Sequence, residues 1–364
     1  MRRWYKDEVE RRALIVLALW PGLAACGGGG GSSTPTPLPT TTPAVDPDPL
    51  RADAAAAGKW IGAAIQSGYL SQPAYSRTLA RHFDYVTAEY EMKWDPVQRV
   101  PGVYDFAGAD AIVAFAEQNR MRVKGHALVW HGALPDWVKA LPPSELLAAL
   151  EDHIRTVVGR YRGRIAVWDV VNEAVADGGT GLRETVFLQK LGESYLELAF
   201  RVAHEADPEA LLTYNDDGAE GLGPKSEQVY ALVRRLKERG APISGVGLQM
   251  HVAAQNRPPS ADIAANLRRL AELGLVVNIS EMDVRIRDVA GDKSTRLAVQ
   301  RREYQDLVGL CVAEPACQAV TFWGFTDLYS WIDSFFGADD PLLFDEAYAA
   351  KPAFFGVQDA LRRR

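Results

Sequence analysis

The chain has 364 residues, 48% of them hydrophobic and 24% charged. That is ordinary globular composition, with length for a large core. A net charge of −7 removes the electrostatic basis for nucleic-acid binding but leaves a neutral polymer open as a substrate. Nine Trp suit flat apolar ligands as well as cores.

Residues 13–25, ALIVLALWPGLAA, follow Arg11 and Arg12. This apolar stretch is too short for a membrane span and reads as an export signal. It ends in LAAC, similar to a bacterial lipoprotein signal, with Cys26 as the lipidated residue. Asp7, Glu8 and Glu10 are acidic where such a signal is basic, which points to a translation start further on, near Val9. Residues 27–49 are dominated by Gly, Ser, Thr and Pro, a linker that is part flexible and part extended. The expected organisation is therefore a signal over 1–26, a linker over 27–50 and one folded domain over 51–364. The expected location is the bacterial cell envelope, exported, with a lipid anchor at Cys26 as its contact with the membrane and the domain facing periplasm or cell surface. The remaining cysteines, Cys311 and Cys317, close a small loop. In an exported protein they read as a disulfide rather than as two reduced core thiols.

From residue 60 short apolar runs alternate with long amphipathic ones. The short runs are WIGAAI (60–65), DYVTAEY (84–90), RVKGHALVW (122–130), AVWDVVNEA (166–174), LLTYND (211–216), GVGLQM (245–250), VVNISEMDV (276–284) and AVTFWGF (319–325). Segments such as PSELLAALEDHIRTVVGRY between them have helical periodicity. Eight strand–helix alternations predict a parallel α/β fold, and eight closes a (β/α)8 TIM barrel. An open doubly wound sheet is the alternative, but no Gly-rich phosphate loop follows the first strand.

In such a barrel chemistry gathers at the C-terminal strand ends, and polar and aromatic residues recur there. The second run ends in Glu89, Tyr90 and Glu91, with Lys93 and Trp94 beyond; the third carries His126, Trp130 and His131. The fourth ends in Asn172 and Glu173, the fifth in Asn215, Asp216 and Asp217, and the sixth in Gln249 and His251. The seventh carries Glu281 and Asp283, and the eighth Trp323, with Trp331 in the following loop. Each has a bland reading alone, but seven strands doing so at one end is hard to obtain from packing. No HExxH, Cys/His cluster, GxSxG or phosphate loop occurs, so no cofactor and no metal is expected. Glu173 and Glu281 come from strands separated around the barrel. Paired carboxylates flanked by Trp, amides, His and Lys suit glycoside hydrolysis: sugar rings need apolar platforms and their hydroxyls need hydrogen-bonding partners.

At these residues the sequence resembles family 10 glycoside hydrolases, the retaining endo-β-1,4-xylanases. The motifs AEYEMKW, KGHALVWH, WDVVNEA, GLQMH, ISEMDV, TFWGFTDLYSW and PLLFDEAYAAKPAF occur in family order, over residues 58–358. The resemblance implies Glu173 as general acid/base and Glu281 as nucleophile, with His251 and Asp283 orienting and tuning the latter. It implies that Asn172 holds the sugar 2-hydroxyl, that His126, Lys93 and Trp130 line the −1 site, and that Trp323 and Trp331 cover it. Glu89 and Gln249 would contact sugar hydroxyls, and Cys311 and Cys317 match a bridge common in the family. The implied partner is xylan or xylo-oligosaccharide, with no nucleic acid, and the protein is expected to be a monomer.

The chain departs from the family at the non-reducing side of the cleft. Tyr90 stands where the family has Asn, and Ala133 where it has Gln. Losing two sugar hydrogen bonds at about 0.5–1.5 kcal/mol each weakens −2 binding by roughly one to two powers of ten. Either Tyr90 stacks on a sugar instead, or it obstructs −2. On the reducing side Asp217 and Gly218 replace Tyr and Asn. Two other readings stay open: an exo-acting or decoration-dependent β-glycosidase of the same mechanism, and a non-catalytic glycan-binding protein. The intact carboxylate set speaks against the second.

Overall fold

A computed structural model describes residues 47–363; the signal segment, Cys26 and the linker up to residue 46 lie outside the described residues. The first helix among the described residues is Leu50–Ala56, with Leu50 and Ala54 buried. Arg362 near the other end of the chain pairs with Asp48 at 2.9 Å and Asp53 at 2.8 Å. The folded domain thus takes in residues just before 51.

Nine strands follow: β1 (Trp60–Ile65), β2 (Tyr85–Ala88), β3 (Arg122–Val129), β4 (Val167–Asn172), β5 (Leu211–Asp216), β6 (Gly245–Leu248), β7 (His251–Ala253), β8 (Val276–Arg285) and β9 (Cys317–Phe322). Eight of them form a closed parallel ring in the order β1-β2-β3-β4-β5-β6-β8-β9, with β9 pairing back to β1. This is a (β/α)8 TIM barrel, and each of the eight predicted runs overlaps one of its strands, with β8 running one residue beyond its run and β9 starting two residues before its own. The short β7 was not expected. It pairs with the outer end of β8, setting His251 against Asp283.

Strand period 2 sorts the barrel interior into layers. At the N-terminal end Trp60, Tyr85, Val167, Leu211 and Ala319 make a small apolar plug, separate from the main core between sheet and helices. Two residues further along the strands the interior turns polar. Lys124 Nζ lies 2.7 Å from Asp169 Oδ2, and Thr213 Oγ1 donates to Asp169 Oδ1 at 2.7 Å. A fully buried carboxylate is tolerable only when paired in this way. Above that layer lie His126, Asn215 and Glu281.

The helices bury one face each. In Pro143–Arg160 the buried residues Leu146, Leu150, His153, Ile154, Val157 and Val158 recur at the spacing of one helical stripe. The helix Lys293–Ala313 is capped by Asp292, whose side chain accepts from the Thr295 N–H at 2.8 Å. Cys311 and Cys317 are joined by a disulfide between that helix and β9, and Lys59 Nζ donates to the Cys317 carbonyl at 2.6 Å.

Candidate active site

The two acids and most of the polar and aromatic residues singled out beside them gather around Glu281 and Glu173 at the C-terminal strand ends. Glu281 on β8 is the centre. Asn215 Nδ2 donates to its Oε1 at 2.6 Å, and His251 Nε2 lies 3.2 Å from its Oε2. His126 Nδ1 is 3.8 Å from Oε1 but is bonded more closely to Asp169 Oδ2, at 2.8 Å. Burial is the largest influence on Glu281 and opposes its charge. His126 and the bond from His251 outweigh it and hold the carboxyl below the ordinary glutamate range.

His251 is itself braced. Its Nδ1 lies 2.7 Å from Asp283 Oδ2, which also accepts from Trp331 Nε1 at 2.8 Å. With carboxylates at both ring nitrogens, both must donate, so the ring is an imidazolium. Burial works against that charge, but Asp283 and Glu281 overcome it and push His251 well above the ordinary histidine value.

Glu173 follows the last residue of β4. Its φ of +55° is in the left-handed region, uncommon for a residue with a side chain. The turn breaks the strand alternation, and Glu173 N–H still donates to the Asn215 carbonyl at 2.9 Å. Its Oε1 accepts from two neutral amides, Gln249 Nε2 at 3.2 Å and Asn172 Nδ2 at 3.3 Å. Met250, with φ +67°, makes a similar turn beyond β6 between Gln249 and His251. A chain of amides then links the two acids: Gln249 Nε2 also reaches Asn172 Oδ1 at 3.3 Å, and Asn215 Nδ2 donates to that same oxygen at 2.8 Å.

Aromatic and cationic groups wall the mouth. Lys93 Nζ sits 4.5 Å above the Trp130 ring and 5.8 Å from that of Trp323. Its burial lowers its pKa from the ordinary lysine value, only partly offset by Glu281, Glu89 and Glu173. Trp323 stands edge-on to His126 at 5.1 Å, and Trp331 edge-on to His251 at 5.0 Å. Trp94 turns the other way: it is buried, stacked on His153 at 4.0 Å and bonded to Gln98, so it belongs to the core.

Four supporting residues were missed by sequence reasoning. Asn215 was noted at a strand end but given no role. Lys124, Asp169 and Ser280 read as ordinary strand residues. Ser280 Oγ donates to Asn215 Oδ1 at 2.6 Å, which fixes the amide so that its nitrogen faces Glu281. Gly247 makes room for it, since a Cβ there would overlap Asn215 Oδ1. The only signal was register: Lys124, Asp169 and Thr213 share the interior face with residues already suspected.

His126, Asp169 and Glu281 lie close enough to face one ion. Lys124 and His126, however, already share the Asp169 oxygen, and the ammonium would repel a cation there. What the arrangement offers is two carboxylates in unlike surroundings. One is held charged by cations; the other, bonded by neutral amides at an aromatic-walled opening, is placed to handle a proton.

Comparison with known proteins agrees with this geometry. The model of "Glycosyl hydrolase family 10" matches residues 49–360. Endo-1,4-beta-xylanase B of Thermotoga neapolitana is 41% identical over 322 residues, covering 87% of this chain and 92% of that protein. The beta-1,4-xylanase of Dictyoglomus thermophilum is 39% identical over 311 residues, 82% of this chain and 87% of that one. The crystal structure of xylanase 10B from Thermotoga petrophila RKU-1 in complex with xylobiose superposes with a TM-score of 0.84 at 41% identity, covering 87% of this chain and 98% of that one. The chain belongs to glycosyl hydrolase family 10.

Proposed function

We propose that this glycoside hydrolase is a retaining endo-1,4-β-xylanase. The observation that carries the reading is the pairing of a cation-held carboxylate, Glu281, with the amide-held Glu173 at the mouth of the barrel. Relatives about 40% identical are named endo-1,4-beta-xylanases, and one similar structure holds xylobiose.

Glu281 attacks the anomeric carbon while Glu173 gives its proton to the departing glycosidic oxygen. A glycosyl–enzyme ester forms and the glycosidic bond breaks. Glu173, now a carboxylate, takes a proton from water; the water oxygen attacks the anomeric carbon and Glu281 leaves. Asn172 holds the sugar 2-hydroxyl, a bond that strengthens as positive charge grows on the ring. His126, Lys93, Glu89 and Gln249 hold other hydroxyls, and Trp130, Trp323 and Trp331 enclose the ring and exclude water.

The −2 subsite is altered in this reading. Tyr90 Oη donates to Asp95 Oδ2 at 3.1 Å, and the Asp95 N–H donates to the Ala133 carbonyl at 3.1 Å. The two departures on the non-reducing side therefore meet at Asp95 and form one patch, with the phenol anchored rather than free to swing.

The protein acts outside the cytoplasm, tethered by lipid at Cys26. The apolar segment ending in LAAC and the linker after it support that placement.

The test uses linear xylohexaose labelled at its reducing end, with products resolved over time. Internal cleavage to xylobiose and xylotriose is expected. Release of single xyloses from the non-reducing end would favour the exo-acting reading, and no cleavage would favour a decoration-dependent enzyme.

A further inference from the structure

Behind the peptide that carries Glu173 runs a closed set of polar contacts that the chemistry above does not use. Tyr214 Oη accepts the N–H groups of Ala174 and Val175, each at 3.1 Å. Having accepted two protons, it gives its own to Asp216 Oδ2. The other Asp216 oxygen lies 3.0 Å from Lys225 Nζ, and Lys225 also reaches Asp177 at 3.3 Å. Asp177 pairs with Arg183, and Arg183 Nε returns to the Glu173 carbonyl at 3.1 Å. The ring thus begins and ends on residues 173–175. Tyr214 and Asp216 are fully buried and alternate along β5 with Thr213 and Asn215, whose side chains bond inside the barrel, so they lie on the outer side of the barrel wall.

We propose that Tyr214, Asp216, Lys225, Asp177 and Arg183 are positioning residues that fix the backbone of Glu173 for its proton transfers. The proposal rests on the reading of Glu173 as acid/base. The left-handed φ at Glu173 is a disfavoured conformation that persists only where surrounding contacts over-determine it. The backbone groups on either side of that turn are held by this ring. Tyr214 is the key member: its hydroxyl is a double acceptor for two buried N–H groups, which have no other use for their protons once it is gone. Burial pushes the Asp216 carboxyl up to about 7, and Lys225 and the phenol itself oppose that rise from its two oxygens. Without the ring, the turn relaxes toward ordinary φ and the Glu173 carboxyl drifts from the glycosidic oxygen. A displacement near 1 Å is enough to cost on the order of 10²-fold in rate.

The experiment compares kcat/KM on phenyl and dinitrophenyl β-xylobiosides for the full chain, Glu173→Ala, Tyr214→Phe and Arg183→Gln. Phenolate needs a proton to leave, whereas dinitrophenolate leaves unaided, so a displaced acid slows only the first substrate. For Tyr214→Phe the phenyl substrate is expected to fall on the order of 10²-fold with the dinitrophenyl substrate nearly unchanged, and Arg183→Gln shows the same split, smaller. A general loosening of the fold would lower both substrates together. Equal losses on both, or no loss on either, while Glu173→Ala still shows the split, would overturn the proposal alone. Absence of the split in Glu173→Ala would overturn the acid/base reading first. If Tyr214→Phe does not fold by circular dichroism, Arg183→Gln at the more exposed side of the ring decides the matter.

Discussion

The Asn215 side-chain amide donates both to Glu281 Oε1, at 2.6 Å, and to Asn172 Oδ1, at 2.8 Å. One nitrogen on β5 thereby ties the strand carrying one acid to the strand carrying the other. A hydrogen bond to a charged group contributes about 1.5–3 kcal/mol. Asn215→Ala should therefore lower kcat by roughly 10- to 150-fold, with the fold intact by circular dichroism. Asn215→Asp should be worse, because it sets a second carboxylate against Glu281.

In the proposed mechanism the pairing of His251 with Glu281 sets the acid side of the pH profile. Turnover by that mechanism needs Glu281 ionised, and its pKa lies below the ordinary 4.5. His251→Asn removes a cation and a bond to that carboxylate, so the acid limb of kcat/KM should move to higher pH. Stability follows with definite signs. The depressed Glu281 contributes stability above 4.5, lost as pH falls through its folded value. The raised His251 contributes stability complete below 6.5, lost as pH rises through its folded value. Both are in force from 4.5 to 6.5. Denaturant titrations across that window should show the variant losing most there.

Tyr90 and Ala133 meet at Asp95, so they should be exchanged together. Tyr90→Asn with Ala133→Gln should raise kcat/KM on xylotriose and xylotetraose by roughly 10- to 100-fold, the equivalent of two sugar hydrogen bonds. An unchanged rate and cleavage pattern would refute an altered −2 subsite.

The Cys311–Cys317 disulfide closes a small loop remote from the mouth. Replacing both by Ala should cost about 2 kcal/mol by chain entropy. Urea unfolding should report that loss while kcat/KM stays as it was. A fall in activity greater than the fall in stability would mean that β9 transmits strain to Trp323.

Much of this was legible in the sequence. The strands were readable because both their faces are buried, which makes them continuous apolar runs, and the acids were readable because they interrupt such runs. What was not legible depends on register. Whether Lys124 and Asp169 meet is decided by how β3 pairs with β4, and in the sequence they are a lysine and an aspartate 45 positions apart. Trp94 shows the converse: it sits beside Lys93 in the motif and at the same strand end, but the helical turn at Trp94–Val97 carries its ring into the core. The short β7 escaped notice because three residues are too few to show a period.

The central claim is that Glu281 forms a covalent bond to the sugar. The direct measurement is mass spectrometry of the protein after reaction with a dinitrophenyl 2-deoxy-2-fluoro-β-xylobioside, whose glycosyl–enzyme ester forms but hydrolyses slowly. The account predicts a mass increase of one fluoroxylobiosyl unit, mapped by peptide digestion to Glu281. An unmodified protein, or a label on any other residue, would contradict it.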